Sequence, residues 1–181
     1  MPNHESTDVP PSKLFAVSLA NQQSTHAVNE QQLVDAAQLV LQESTFTSAA
    51  ISLAVVDDPT IHELNRRYLN HDWPTDVLSF VLDERDGHLE GEVILSADTA
   101  AAEAVEIGWP AAAEQLLYVI HGMLHLVGYR DKTADDALAM RAAEDKCLRH
   151  FGIDQPHAAR STEAVDESIL TADGEGGQAA S

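Results

Sequence analysis

The sequence predicts an α/β (α+β) fold: a single compact domain with a mixed sheet of about four strands, packed with about five helices. Short apolar runs rich in β-branched residues alternate with segments whose apolar residues recur at helical spacing. At 181 residues and 44% apolar, the chain has the size and composition of one domain with its own core. A helical segment between the first two strands lets them pair in parallel.

The elements follow in order. Residues 1–12 are polar and proline-containing, and read as a disordered N-terminal tail. Residues 14–19 form a first strand. Residues 29–43 place Leu33, Ala36, Ala37 and Val40 on one helical face, with Asn29 as the cap. The β-branched run at 51–56 is a buried strand. Asp58 and Pro59 open a helix to about residue 69, with proline in the first turn, where its missing N–H costs least. Trp73, Pro74, Thr75 and Asp76 form a loop before a strand at 77–82, and Gly91 precedes another at 92–95. Asp98 is read as the cap of a helix that Gly108, Trp109 and Pro110 break. Pro110 opens a further helix ending near Gly128. The last helix spans 133–151, with Thr133 and Asp136 resembling a capping box and Gly152 closing it. The folded domain is thus expected over residues 13–157, followed by an acidic disordered tail at 158–181.

Charge narrows the functional classes. Thirty acidic against ten basic residues give a formal net charge of −20, and the two tails account for only part of it. Such a field repels a polyphosphate backbone at long range, so any nucleic-acid role rests on local cations: Arg66 and Arg67, or Arg130 and Lys132. No apolar run approaches the ~20 residues that span a bilayer, and the first residues do not read as a secretory signal. Cys147 is the only cysteine, which makes a reducing cytoplasm the expected compartment and buried filler the expected role of the thiol.

The segment HGMLHLVGYRD carries the chemistry. From residue 116 to residue 127 every residue is apolar or aromatic except His121, Gly122 and His125. A helix that apolar is buried on most faces, and imidazoles within it need partners. Four residues apart, His121 and His125 share a face and can converge on one ion. Gly122 between them leaves room for a ligand or a closely packed strand. Gly128 can turn the chain back after the helix, so that Asp131 returns a carboxylate to the ion. Two imidazoles and one carboxylate leave a coordination position open, the pattern of a catalytic zinc site in which water becomes a nucleophile near neutral pH. The alternative is two hydrogen-bonded core histidines and an unrelated loop acid. A zincin protease is disfavoured, because that motif needs a glutamate where this chain has Gly122.

Together these residues resemble the YbeY family of bacterial rRNA-maturation endoribonucleases, whose signature runs HGxLHLxGYDH. HELNRRYLNHDWPTDVLSF is similar to the family's helix and loop, GEVILSADTA to its glycine–acid strand and helix, and DKTADDALAMRAAEDKCL to its acidic last helix. The resemblance runs from about residue 14 to residue 153. It implies a compact metalloprotein with one zinc ion per chain, held by His121, His125 and Asp131. It also implies cleavage of single-stranded RNA in maturing the 3′ end of small-subunit ribosomal RNA and in ribosome quality control, with precursor rRNA and small-subunit proteins as partners.

Two positions depart from the family pattern. Asp131 stands where the third ligand is usually histidine, which makes the site less positive and a bound water less acidic, so weaker activation or a shift toward harder divalent ions is expected. Leu69 stands where members place an arginine thought to act in catalysis, within a YRxKD stretch. Arg66, one turn earlier, and His71, at the lysine position, are the expected substitutes in binding phosphate, though neither is a like-for-like replacement for a bidentate arginine at position 69. Asp72, Asp76 and Arg130 are candidate substrate contacts. Asp135 and Asp136 read as helix-start acids, Ser79 and Phe80 as strand and core residues, and His88 and His150 as surface histidines. A metal-dependent endoribonuclease is the leading expectation. A ribosome-assembly factor that binds RNA or ribosomal protein with little or no cleavage is the alternative, and a hydrolase of small substrates would require a narrow, closed pocket.

Overall fold

The computed structural model describes residues 13–154 and 169–171. The elements run β1 (Leu14–Asn21), α1 (Glu30–Glu43), β2 (Ser48–Val56), α2 (Asp58–Leu69), β3 (Val77–Arg85), β4 (His88–Ser96), α3 (Ala97–Ile107), α4 (Ala111–Leu126), α5 (Ala134–His150) and β5 (Ile169–Thr171). The sheet order is β1-β2-β4-β3-β5. The four long strands and five helices are those the sequence predicts, and β5 is a short addition, paired in parallel with β3. The rest of the segment at 158–181, like residues 1–12, lies outside the described residues.

Sheet topology follows from the connections. α1 carries the chain from β1 back to a parallel β2, in register from Leu14 opposite Ser48 to Asn21 opposite Val55. β2 also runs parallel to β4, while β3 and β4 form an antiparallel hairpin. Asp86 and Gly87 make its turn, both at positive φ (50° and 76°), as a two-residue hairpin turn of the primed type requires. Both strands are therefore longer than their apolar runs suggest. Gly91 lies inside β4 rather than before it, and a Cβ there would sit 2.9 Å from Leu126 Cδ1.

Local caps set the helix boundaries. Asn29 caps α1, Asp57 caps α2 and Thr133 caps α5, each side chain accepting a backbone N–H of the first turn. One expectation is corrected. Ser96, not Asp98, caps α3: its hydroxyl accepts the Thr99 N–H at 3.1 Å. Asp98 instead accepts the Asp58 N–H at 3.0 Å and pairs with His26 at 2.9 Å, tying the start of α3 to that of α2.

α4 is the central helix. Nearly all of its residues are buried, and Leu116, Leu117, Ile120 and Met123 are essentially inaccessible. They belong to the main core, which α4 shares with α1, α5 and one face of the sheet. Burying each such side chain stabilises the fold by ~1.5–3 kcal/mol. A smaller cluster on the other face joins α2, through Ile61, to Ala54, Val56, Leu78 and Ile94.

Candidate metal centre

α4 can approach the sheet closely because Gly122 has no side chain. A Cβ there would lie 2.6 Å from Val93 Cγ1 and 2.9 Å from Ser79 Oγ. Any larger residue would push the helix outward, so Gly122 fixes the height of the flanking His121 and His125 above β3 and β4. Ser79 is buried on β3, as expected of a strand residue.

The helix ends where the sequence places its stop. Gly128, at φ 106°, follows the last turn; its N–H reaches the His125 carbonyl at 3.0 Å and that of Tyr129 reaches Leu124 at 2.9 Å. This is the paired 5→2 and 6→1 closure of a Schellman cap. The reversed chain brings Asp131 back to the histidines.

Three donor atoms converge. His121 Nε2 and His125 Nε2 are 3.0 Å apart, and Asp131 Oδ2 lies 3.9 Å from the first and 3.5 Å from the second. A tetrahedral ion with ligands at ~2.0–2.1 Å sets its donors about 3.3 Å apart, and the observed spacings bracket that value. His125 is 7% exposed, whereas the side chains of His121 and Asp131 are 28% and 21% exposed, so the group opens to solvent on their side.

The outer ring nitrogens explain why the inner ones face each other. His121 Nδ1–H donates to Glu144 Oε1 at 2.6 Å, and His125 Nδ1–H donates to the Tyr129 carbonyl at 3.2 Å. Carboxylate and carbonyl only accept, so both rings are driven to the tautomer that carries its lone pair on Nε2. Two lone pairs 3.0 Å apart require a cation or a shared proton between them. The surroundings act on the two rings in opposite senses. Burial alone would lower the His121 pKa, but the Glu144 hydrogen bond and charge, joined by Asp76 and Asp131, raise it above the ordinary value. Burial and the neighbouring His121 hold His125 below it. Buried imidazoles satisfied separately within the core, the alternative left open by spacing, would not point their lone pairs at one another and at a carboxylate. Among the described residues, His121, His125 and Asp131 form a group that could hold a metal ion.

The remaining candidates are distributed around this group. Asp76 opens β3; its Oδ1 accepts the Val77 N–H at 2.8 Å and the Thr75 hydroxyl at 3.1 Å, and its charge acts on His121. Arg130 Nη1 donates to the carbonyls of Tyr129 (2.9 Å) and His125 (3.4 Å), anchoring an exposed guanidinium beside Asp131. His71 stacks on Trp73 with ring centroids 4.6 Å apart, in a loop held by Asn65 Nδ2 donating to the Trp73 carbonyl at 2.8 Å. Arg66 and Asp72 are engaged elsewhere. Arg66 forks onto Glu63 on the outer face of α2, and Asp72 pairs with His62 at 3.0 Å. Leu69 packs partly buried against the apolar cluster beneath α2. Asp135 and Asp136 lie in the first turn of α5, as expected. His88 is more than a surface histidine, since its Nδ1 bonds the Ser48 hydroxyl at 2.8 Å.

Comparison with known proteins identifies the family. The sequence profile of the family described as endoribonuclease YbeY matches residues 18–152. The chain belongs to the endoribonuclease YbeY family. Among YbeY relatives, that of Rhodopirellula baltica is 41% identical over 59% of this chain and 56% of its own length. The chain thus spans little more than half of that relative. The Syntrophotalea carbinolica and Moorella thermoacetica YbeY proteins are each 38% identical, over 71% and 75% of this chain and 90% and 97% of their own lengths. The solution structure of TM1509 from Thermotoga maritima superposes with a TM-score of 0.53 at 19% identity, covering 85% of this chain and all of that one, a likeness of fold. No helix among the described residues is long and apolar enough to cross a membrane.

Sequence reading missed Glu144. The signal was available. Met140, Glu144, Cys147 and Leu148 share the inward face of α5, and a carboxylate on an apolar stripe needs a buried partner.

Proposed function

We propose that this chain is a zinc-dependent, single-strand-specific endoribonuclease acting in the cytoplasm on precursor ribosomal RNA, in small-subunit 3′-end maturation and ribosome quality control, alongside small-subunit proteins. The observation that carries the reading is the convergence of His121 Nε2, His125 Nε2 and Asp131 Oδ2, with both Nδ1 atoms already committed to acceptors. The functional unit is the domain of residues 13–157.

Zinc in this position supplies Lewis acidity toward water and a phosphate oxygen. His125, buried and tied to the Tyr129 backbone, is the rigid ligand, while His121 and Asp131 hold the solvent side. Arg130, anchored by two carbonyls, presents a cation to the scissile phosphodiester. The Asp76 carboxylate, whose charge acts on His121, is the acceptor we assign to a hydrogen bond from substrate. With a net charge of −20, backbone attraction contributes little to binding. Base stacking is the contact that remains, and Trp73, 53% exposed and stacked on His71, offers it to an unpaired base. Unpaired bases are available in single strands, which accounts for the preference. Arg66 and Asp72 reach substrate only by exchanging Glu63 and His62 for it.

The test is cleavage of a precursor 3′-end RNA by zinc-loaded protein and by a His121→Ala, His125→Ala double variant. The reading expects cleavage by the first alone; equal cleavage by both would sink it. A second reading, a ribosome-assembly factor that binds RNA or ribosomal protein with little cleavage, is favoured by one observation. Leu69 is packed into an apolar cluster where the family places an arginine. Absence of cleavage by either protein, with RNA binding retained, selects that reading.

A further inference from the structure

Glu144 is a buried acid that the proposed reaction does not use. It projects from α5, 6% exposed, among Met140, Cys147 and Leu148. An ionised carboxylate in such a place is costly unless a strong partner compensates. Its partner is His121 Nδ1, at 2.6 Å. Beside that bond, α5 packs on α4 through the shared apolar core, Met140, Cys147 and Leu148 included, so a carboxylate is not needed to join the two helices. A leucine or methionine would fill the same stripe.

We propose that Glu144 is a positioning residue for the metal centre, one that selects the His121 tautomer and strengthens Nε2 as a ligand. The inference rests on the zinc-site reading above. A carboxylate accepting Nδ1–H fixes the ring orientation and raises the electron density available at Nε2, which a metal ion then uses. The two imidazoles are served unequally. His125 has only a backbone carbonyl at 3.2 Å behind it, a longer and neutral hydrogen bond. Glu144 also sets the charge of the site. Glu144, Asp76 and Asp131 all act on His121, and replacing Glu144 by a neutral group removes the one acid that is hydrogen-bonded to the ring. The centre thus keeps an outer carboxylate even though its third inner ligand is already an acid.

Zinc alone is the probe. Affinity is read by competition with a chromogenic chelator for wild type, Glu144→Gln and Glu144→Ala, and the melting temperature of each metal-free protein is read in parallel. Gln keeps the shape and an acceptor oxygen but loses the charge; Ala loses both. The expected result is a loss of zinc affinity of about 10–100-fold for Gln and a larger loss for Ala. Metal-free melting temperatures should move little for Gln. Zinc affinity within twofold of wild type in both variants overturns the proposal, even if their melting temperatures fall, because Glu144 would then serve packing alone. A wild-type protein that binds no zinc overturns the metal-site reading itself, a distinguishable outcome.

Discussion

Gly122 and Val93 are so close that a methyl group on Gly122 would sit 2.6 Å from Val93 Cγ1. Neither partner can yield easily, because Val93 is buried on β4 and Gly122 lies mid-helix between the two histidines. The contact couples packing to chemistry, since whatever lifts α4 from the sheet also moves His121 and His125. Gly122→Ala gains helix propensity, yet overpacking at such a position costs ~1–3 kcal/mol. The expected outcome is a melting temperature several degrees lower, with zinc binding weakened as well. An unchanged melting temperature with unchanged zinc affinity would show that the helix has room to spare.

Leu69 stands at the end of α2, partly buried against Ala54, Val56, Ile61, Leu78 and Ile94. An arginine there can lay its aliphatic stem on the same cluster and carry its guanidinium to solvent, so Leu69→Arg should cost no more than about 1 kcal/mol. If the missing cation limits the reaction, single-turnover cleavage of a single-stranded RNA should rise by about tenfold or more. A stable variant that cleaves no faster would mean that Arg130 and the metal site already supply the charge the reaction needs.

Cys147 is 3% exposed, and burial pushes its thiol pKa up to about 11. A raised thiol pKa keeps the sulfur protonated at neutral pH, and the thiolate is the reactive form. Native protein should therefore react slowly with a disulfide reagent at pH 8, and denatured protein rapidly. Rapid labelling of the native protein would place Cys147 in an accessible, activated environment instead.

Legibility differed between elements for physical reasons. The histidine pair was readable because helical spacing places residues four apart on one face, and Gly128 was readable because few other residues adopt its backbone conformation. Asp131 was readable only as a consequence of that turn. The β3–β4 hairpin was readable in principle from Asp86-Gly87. It was obscured because the polar residues flanking the turn, Glu84, Arg85 and His88, interrupt the apolar pattern while still pairing through their backbones. Ser96 and Asp98 compete for one cap, and only the backbone geometry decides between them. Glu144 shows the limit most clearly. Its partner lies twenty-three residues away on another helix, a contact that no local periodicity encodes.

The central claim is that His121, His125 and Asp131 form one metal site, and the most direct measurement is metal content per chain. Purified protein loaded with zinc and freed of excess metal, analysed by inductively coupled plasma mass spectrometry, should carry about one zinc ion per chain. The His121→Ala, His125→Ala double variant, folded by circular dichroism, should carry none. Equal zinc in both proteins, or none in the wild type, would contradict the account.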